Sequence, residues 1–106
     1  MTSTFKCLKL RRLNKNGLLG FFSLKLPSGL VLHDLSWRRQ PDGTEWVGMP
    51  SRAYQAGDGS TKWTPVAEFD ADAKRERQEF QRRALTAVRA FVAAEQNDDE
   101  LAELLP

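Results

Sequence analysis

The segment GLVLHDLSWRRQPDGTEWVGMPSR, residues 29–52, reads as two β-strands joined by a tight turn. Polar and apolar residues alternate through residues 30–39, and residues 45–49 form a second, shorter strand. Between them, Pro41-Asp42-Gly43 places a proline with a preset φ before a glycine suited to the left-handed region. Pro50 has no N–H to donate, so it ends the pairing or marks an edge. We therefore expect an antiparallel pair of strands here.

The chain before this segment predicts a hairpin that pairs with it. Residues 5–13 alternate leucines with basic residues, and residues 18–26 form the return strand. Asn16-Gly17 lies between them and favours the positive φ angles of a type I′ turn. Pro27-Ser28-Gly29 then turns the chain into the next strand. Four strands joined by three short turns predict an antiparallel β-meander.

The chain after this segment predicts a loop and a long helix. Residues 53–61 are polar and contain glycine, which is typical of an irregular loop. Asp70 or Asp72 can cap a helix that runs to about Gln96. At 100° per residue, its apolar side chains form one arc for packing on the sheet. The arc consists of Phe80, Ala84, Ala87, Val88, Phe91 and Val92, with Leu85 at its margin.

We predict an α+β fold: a four-stranded antiparallel β-meander with one long C-terminal helix packed on the sheet and a short terminal helix. Residues 1–96 make a single domain, and residues 97–106 make an acidic C-terminal tail or short helix. Asn97 or Asp98 is the expected cap of that short helix. Its apolar residues would be Leu101, Leu104 and Leu105.

Composition and charge narrow the class of protein. A chain of 106 residues with a net charge of +2 fits one domain. Residues 1–40 hold eight Lys or Arg and one acid, whereas residues 95–103 hold five acids and no base. This separation of charge fits an anionic partner, although a solvated surface with a solubilising tail would look the same. With one cysteine, no secretory leader pattern and no apolar run of membrane length, we expect a cytoplasmic protein without membrane contact.

One helix covers one face of a four-stranded sheet, and the second face does not read as cleanly polar. Leu19, Phe21, Leu30 and Leu32 cannot all lie beneath the helix. Exposed apolar area and unpaired strand edges usually mark an interface. We therefore predict a homodimer built through the sheet.

The middle of the chain resembles the SpoVG family, small bacterial regulators of septation and sporulation. The shared features are Leu10-Arg11-Arg12, Gly17, Leu32-His33-Asp34-Leu35, Gly43, Trp46-Val47-Gly48-Met49-Pro50-Ser51-Arg52 and Pro65-Val66. The similarity covers roughly residues 8–92; the longer loop after Arg52 and the acidic tail depart from the pattern. It implies a site-preferring DNA- or RNA-binding regulator that is a small dimer with an antiparallel sheet and has no catalytic activity.

The residues offer little material for catalysis. His33 and Asp34 are neighbours on a strand, so they point to opposite faces and cannot form a dyad. We expect a structural, partly buried His33, and an Asp34 that accepts backbone N–H groups from the corner at residues 49–51. Cys7 has no activating base at useful spacing. We predict no catalytic residue, no cofactor and no metal site, because metal ions need several donors.

Nucleic-acid binding has better candidates, because arginine forks bind phosphates and aromatic rings stack on unpaired bases. The predicted contact residues are Lys9, Arg11, Arg12, Arg52, Lys62, Trp63, Arg75, Arg82, Arg83 and Arg89, with Arg38 and Arg39 as further cations. Trp37 and Trp46 are assigned to the core.

Two alternatives stay open for these cations. One alternative is that Arg75, Arg82 and Arg83 form helical ion pairs with Glu76 and Glu79. The other is nucleic-acid binding, which is favoured for Arg82, Arg83 and Arg89. The alternative for the protein as a whole is a protein-interaction or accessory module without nucleic-acid binding.

Overall fold

The computed structural model describes the backbone of residues 4–104 and the side chains of residues 4–95. Its elements are β1 (Lys6–Lys15), β2 (Leu18–Lys25), β3 (Val31–Arg39), β4 (Glu45–Gly48), β5 (Ser51–Gln55), β6 (Thr61–Pro65) and α1 (Lys74–Leu104). Strands β1 to β4 form an antiparallel sheet in sequence order, and α1 packs on one of its faces. The predicted α+β meander with a long C-terminal helix is confirmed.

The core lies between this helix and the sheet. The predicted arc is confirmed, because Phe80, Ala84, Ala87 and Val88 are all buried. Phe91, Val92 and Leu85 are partly buried and pack against the same cluster. The sheet contributes the buried side chains Cys7, Phe22, Leu24, Leu35, Trp37 and Val47. Each large apolar side chain buried in this way contributes about 1.5–3 kcal/mol.

The first turn has the predicted geometry. Asn16 and Gly17 both have positive φ, at 52° and 84°, as a type I′ turn requires. Gly17 also lies against the end of β3, where Arg39 N donates to Gly17 O at 2.8 Å. A Cβ at Gly17 would come within 2.6 Å of Arg39 O. The turn therefore requires glycine both for its backbone conformation and for its packing.

The predicted alternation of β3 is wrong at one point. Asp34 has a φ of 60°, and the pairing of β2 with β3 shifts there, so that Leu24 lies opposite Leu32 and Phe22 opposite Leu35. A β-bulge inserts one residue into a strand and reverses the faces of the residues that precede it. Leu32 therefore joins the core side with Leu35, whereas His33 is exposed.

The predicted loop at residues 53–61 is instead most of a second hairpin, formed by β5 and β6. Gly59 N donates to Ala56 O at 2.9 Å, and the Asp58 carboxylate accepts from Ser60 N at 3.0 Å. The turn between β3 and β4 has the same pattern, in which the Asp42 carboxylate accepts from Thr44 N. The Asp-Gly signal that predicts the earlier turn therefore occurs again at Asp58-Gly59.

The ends of α1 differ from the prediction. The helix begins at Lys74, where Arg77 N donates to Ala73 O, and in the described part of the chain neither Asp70 nor Asp72 accepts a capping hydrogen bond through its carboxylate. The helix continues to Leu104 rather than ending near Gln96 before a separate short helix, because no glycine or proline interrupts it. The predicted packing of Leu101, Leu104 and Leu105 concerns side chains outside the described residues.

The edge of the sheet at β4 is closed by a side chain of the helix. Gln81 Oε1 accepts from Val47 N at 2.8 Å, and Gln81 Nε2 donates to Val47 O at 2.6 Å. The amide thus forms the two hydrogen bonds that a neighbouring strand would form. Covering an edge in this way prevents strand pairing with another chain.

Candidate nucleic-acid interface

The face of the sheet opposite α1 carries cations and aromatic rings. Strand register places Arg11 opposite Phe21, Phe21 opposite Ser36, and Ser36 opposite Gly48, which gives one row across all four strands. Residues directly opposite each other share a face and contact each other. A neighbouring row pairs Arg38 with Trp46. Each of these two rows therefore places a basic side chain beside an aromatic one.

The β5–β6 hairpin and the open face of the sheet enclose a cavity of about 510 Å³. A second cavity, of about 310 Å³, adjoins it toward Lys9 and Ser23. We call the two together the sheet–hairpin groove. The larger cavity is lined by Arg11, Phe21, Asp34, Ser36, Arg38, Met49, Ser51 and Trp63. Both volumes lie in the lower half of the range of about 300–1,000 Å³ that is typical of small-ligand sites.

Two arginines of the groove lie over aromatic rings. The guanidinium carbon of Arg11 is 5.4 Å from the centre of the Phe21 ring, and that of Arg38 is 5.6 Å from the Trp46 ring. Such cation–π contacts hold a guanidinium in place while its N–H groups stay available. Within residues 4–95, neither arginine forms an ion pair with a carboxylate.

Ser36 lines the larger cavity, and Gly48 lies opposite it on β4. Ser36 Oγ accepts a hydrogen bond from Arg38 Nε at 3.2 Å. A Cβ at Gly48 would overlap Ser36 Oγ, so the hydroxyl keeps its position only beside a glycine. Gly48 thereby contributes to the orientation of Arg38.

The hairpin divides its predicted contact residues between two faces. Trp63 lies opposite Ala53, on the face that lines the groove, and is 67% exposed. Tyr54 lies opposite Lys62 and two residues after Arg52, so these three side chains share the outer face. Trp63 is thus the hairpin residue that the structure brings together with Arg11.

Three arginines of α1 lie on the other side of the sheet and have carboxylate partners. Arg82 and Arg83 both form ion pairs with Glu79, and their hydrogen bonds lower the pKa of that carboxylate, that of Arg83 most. The Arg89 guanidinium lies 3.1 Å from Glu45 Oε1. The predicted row of cations at Arg82, Arg83 and Arg89 is therefore engaged within the protein. Arg75 lines an apolar cavity at the start of the helix.

Arg12 and Arg39 are also separated from the groove. Register places Arg12 opposite Gly20, which faces the helix side with Trp37. Arg39 Nη2 lies 3.2 Å from Glu45 Oε2. The structure therefore brings Lys9, Arg11, Arg38 and Trp63 together along the groove and places the remaining predicted residues elsewhere.

Glu45 is the central acceptor on the helix side of the sheet. It accepts from Trp37 Nε1 at 2.9 Å, from Arg89 Nε at 3.2 Å and from Arg39 Nη2 at 3.2 Å. Burial raises the pKa of this carboxyl, but the hydrogen bonds from Trp37, Arg39 and Arg89 outweigh burial and lower the pKa below its ordinary value. Glu45 is therefore ionised and structural.

The open face also carries residues that the sequence does not single out as binding residues. Trp46, assigned to the core, is 40% exposed beneath Arg38, whereas Trp37 is buried as predicted. Asp34 lines both cavities and, within residues 4–95, accepts no hydrogen bond from the corner at residues 49–51. The sequence places Phe21 among the four apolar residues that cannot all lie beneath the helix. Period-two alternation along β1 and along β2, which puts Arg11 and Phe21 on the face away from the core, is the signal that joins them.

The remaining candidates for chemistry have structural partners. His33 Nδ1 is 2.9 Å from Ser23 Oγ, and His33 is exposed rather than partly buried. Cys7 is buried, and burial raises the pKa of its thiol to about 11. Among the residues described, no three His, Cys, Asp or Glu side chains are grouped closely enough to hold a metal ion.

An apolar cavity of about 530 Å³ lies on the helix side, at the start of α1. Its apolar lining includes Phe5, Leu26, Leu30, Leu32, Met49, Phe69 and Phe80. Leu19 and Leu32, two of the four apolar residues expected not all to lie beneath the helix, pack against the core. Leu30 remains 57% exposed at this cavity.

Comparison with known proteins gives no family for this chain: no family model and no curated protein matches it. The resemblance to the SpoVG family stays a prediction that rests on the motifs quoted above. In the described part of the chain, no helix combines the length and apolar character needed to cross a membrane.

Proposed function

We propose that this protein is a non-catalytic, nucleic-acid-binding regulator that holds single-stranded DNA or RNA in the sheet–hairpin groove. The observation that carries the proposal is the pairing of Arg11 with Phe21 and of Arg38 with Trp46 on one open face, beside the exposed Trp63. Proteins that bind single strands combine a cationic groove for the backbone with aromatic rings on which bases stack.

The chemistry divides between two kinds of side chain. Arg11, Arg38 and Lys9 supply charge to phosphates, and an arginine already held over a ring loses little freedom on binding. Trp63 supplies an exposed ring face to an unpaired base, at about 1–3 kcal/mol per stacked base, whereas Phe21 holds Arg11 over its ring. A duplex keeps its bases stacked on each other, so rings of this kind favour a single strand.

The cations predicted on the helix can be compared with the cations of the groove. Arg82, Arg83 and Arg89 would have to exchange Glu79 and Glu45 for phosphate, whereas Lys9, Arg11 and Arg38 have no carboxylate to leave within residues 4–95. We therefore assign the main phosphate contacts to the groove. A bacterial regulator that acts as a dimer remains what the family resemblance implies.

The test compares two triple variants with the same change of charge. One replaces Lys9, Arg11 and Arg38 with Gln, and the other replaces Arg82, Arg83 and Arg89 with Gln. Binding of labelled single-stranded oligonucleotides about ten nucleotides long is measured by fluorescence anisotropy between about 50 and 200 mM salt. Melting temperatures are measured in parallel, because Arg89 also supports Glu45.

We expect the groove variant to lose affinity and to flatten the salt dependence by about 0.7 per lost phosphate contact. The helix variant should keep the salt slope of the unmodified protein. The reverse pattern would move the interface to α1. If no DNA or RNA strand binds the unmodified protein at low salt, the proposed function is wrong.

A protein-interaction module is the second candidate, and the apolar cavity at the start of α1 favours it. Phe5, Leu30 and Phe69 line this cavity beside the charged side chains of Arg75 and Glu76. An apolar interface would bind with little dependence on salt, unlike a phosphate interface. A partner whose binding is lost on changing Leu30 to Asp, but not on changing Arg11 to Gln, would support this second candidate.

A further inference from the structure

Asp34 is the acid placed among the cations and rings of the groove. It lines both cavities, which bring it close to Arg11, Phe21 and Ser36. Its φ of 60° lies in the left-handed region, which Asp tolerates better than most residues. The β-bulge at this position turns the side chain out of the regular alternation of β3. The fold thus directs a carboxylate into the groove through an uncommon backbone conformation.

The Asp34 carboxylate is exposed, so it is open to a ligand in the groove. Within residues 4–95, it forms no ion pair with Lys9, Arg11 or Arg38, and its oxygens accept no hydrogen bond. An ionised carboxylate is an acceptor only, and it repels phosphate. In a strand bound in the groove, the N–H donors on the edges of bases are the groups that pair favourably with it.

The four bases differ in what they offer to two carboxylate oxygens. Guanine presents two adjacent donors, N1–H and the N2 amino group, on its Watson–Crick edge. Adenine and cytosine each present one amino group next to an acceptor nitrogen, which repels the second oxygen. Thymine and uracil present one N–H between two carbonyl oxygens. Guanine is therefore the base that pairs with a carboxylate through two parallel hydrogen bonds.

We propose that Asp34 selects guanine, accepting hydrogen bonds from N1–H and N2–H of one unpaired base while the ring stacks on an aromatic side chain of the groove. This inference rests on the proposed function. Phe21 and Trp63 line the same cavity as Asp34, so a stacked base and the carboxylate are within one site. The groove then contains both a general contact with the strand and a specific contact with one base.

The test uses strands of thymine about ten nucleotides long that carry one guanine, inosine or adenine at the centre. The base of inosine is hypoxanthine, which is guanine without the N2 amino group. An inosine strand therefore lacks one of the two hydrogen bonds, without any change to the protein. We expect guanine to bind roughly tenfold more tightly than adenine, with inosine between them. The same series in uracil RNA shows whether the selection extends to both nucleic acids.

The matched variants are Asp34→Asn and Asp58→Asn. Asn keeps the shape of the side chain and tolerates the left-handed region, so Asp34→Asn should fold with an unchanged melting temperature. It should abolish the preference for guanine while binding of the all-thymine strand stays equal or becomes tighter, because a negative charge is lost. Asp58→Asn makes the same change of charge at the tip of the hairpin and should keep the preference.

The outcomes separate the two ideas. If strands bind but guanine, inosine and adenine are equivalent, or Asp34→Asn keeps the guanine preference, the role of Asp34 is wrong and the proposed function stands. If no strand binds at any salt concentration, both are wrong.

Discussion

Three hydrogen-bond donors, two from β3 and one from α1, meet at Glu45, whose side chain is only 12% exposed. Changing Glu45 to Gln keeps an acceptor for Trp37 but removes the charge that Arg39 and Arg89 face. We expect a loss of about 1–3 kcal/mol in the free energy of unfolding, measured by urea denaturation at neutral pH. Glu79→Gln is the control: it removes a more exposed partner of arginine, and the loss should be much smaller.

The sign of the pH dependence follows from the lowered pKa of Glu45. The pKa of Glu in an unfolded chain is about 4.3, and the pKa of the folded Glu45 carboxyl is below its ordinary value. Its stabilising contribution is therefore complete above the unfolded pKa and is lost as the pH falls through the folded pKa. The stability difference between the unmodified protein and Glu45→Gln should shrink below about pH 4. A difference that stays constant down to pH about 2 would contradict this origin.

Cys7 gives a second test on a single residue. Burial raises the pKa of its thiol to about 11, so the reactive thiolate is scarce at neutral pH. We expect the folded protein not to react with Ellman's reagent at about pH 8, and one thiol to react after denaturation in guanidinium. Rapid reaction of the folded protein would show that the N-terminal end of β1 opens readily.

Among the secondary-structure elements, β4 depends on a side chain of α1. Gln81 satisfies both backbone groups of Val47, whose side chain lies in the core. Changing Gln81 to Ala leaves these groups without partners, and we expect a loss of about 1–3 kcal/mol measured by denaturant unfolding. Gln78→Ala is the matched control one turn earlier, at an exposed position, and should change stability little. Equal effects of the two substitutions would contradict the edge role of Gln81.

The β5–β6 hairpin is the element whose function can be separated from folding. All residues of β5 and β6 are exposed, and an isolated two-stranded hairpin adds little stability of its own. Replacing residues 53–63 by Asn-Gly keeps the pair formed by Arg52 and Thr64 and removes the wall of the groove. We expect an unchanged melting temperature and weaker binding of single strands by anisotropy.

Trp63→Ala and Tyr54→Ala refine this prediction, because the two rings lie on opposite faces of the hairpin. Trp63→Ala should cost about 1–3 kcal/mol in binding, whereas Tyr54→Ala should cost little. A larger effect from Tyr54 would place the strand on the outer face, beside Arg52 and Lys62.

At the level of the complete protein, the homodimer stays a prediction, and the structure changes where its interface is expected. Gln81 closes the β4 edge, and the exposed edge at β1 carries several cations that disfavour pairing with a second β1. The apolar cavity beside Leu30 is the better candidate for the dimer interface.

Light scattering at micromolar concentration should give twice the mass of one chain, and Leu30→Asp should reduce the mass to that of one chain. Leu13→Asp, at another exposed leucine, should keep the dimer; a single-chain mass for the unmodified protein would contradict the prediction.

Local sequence signals were sufficient for the meander and for the face of the helix. The type I′ turn at Asn16-Gly17 and the buried arc of Phe80, Ala84 and Val88 depend on residues close together in the chain. Backbone preference and the periods of two and 3.6 residues act over such short distances. The Asp58-Gly59 turn was equally local, so the hairpin was within reach of the same reasoning.

The candidate site depended on contacts between distant segments. Three features of the site join parts of the chain that no local pattern connects. They are the pairing of Arg89 with Glu45, the bulge that presents Asp34, and the cavity that Trp63 and Arg11 line together. Sequence could list the cations, because charge is a property of single residues. Which of them have carboxylate partners, and which share an open face with aromatic rings, depends on the strand register and on the position of α1 against the sheet.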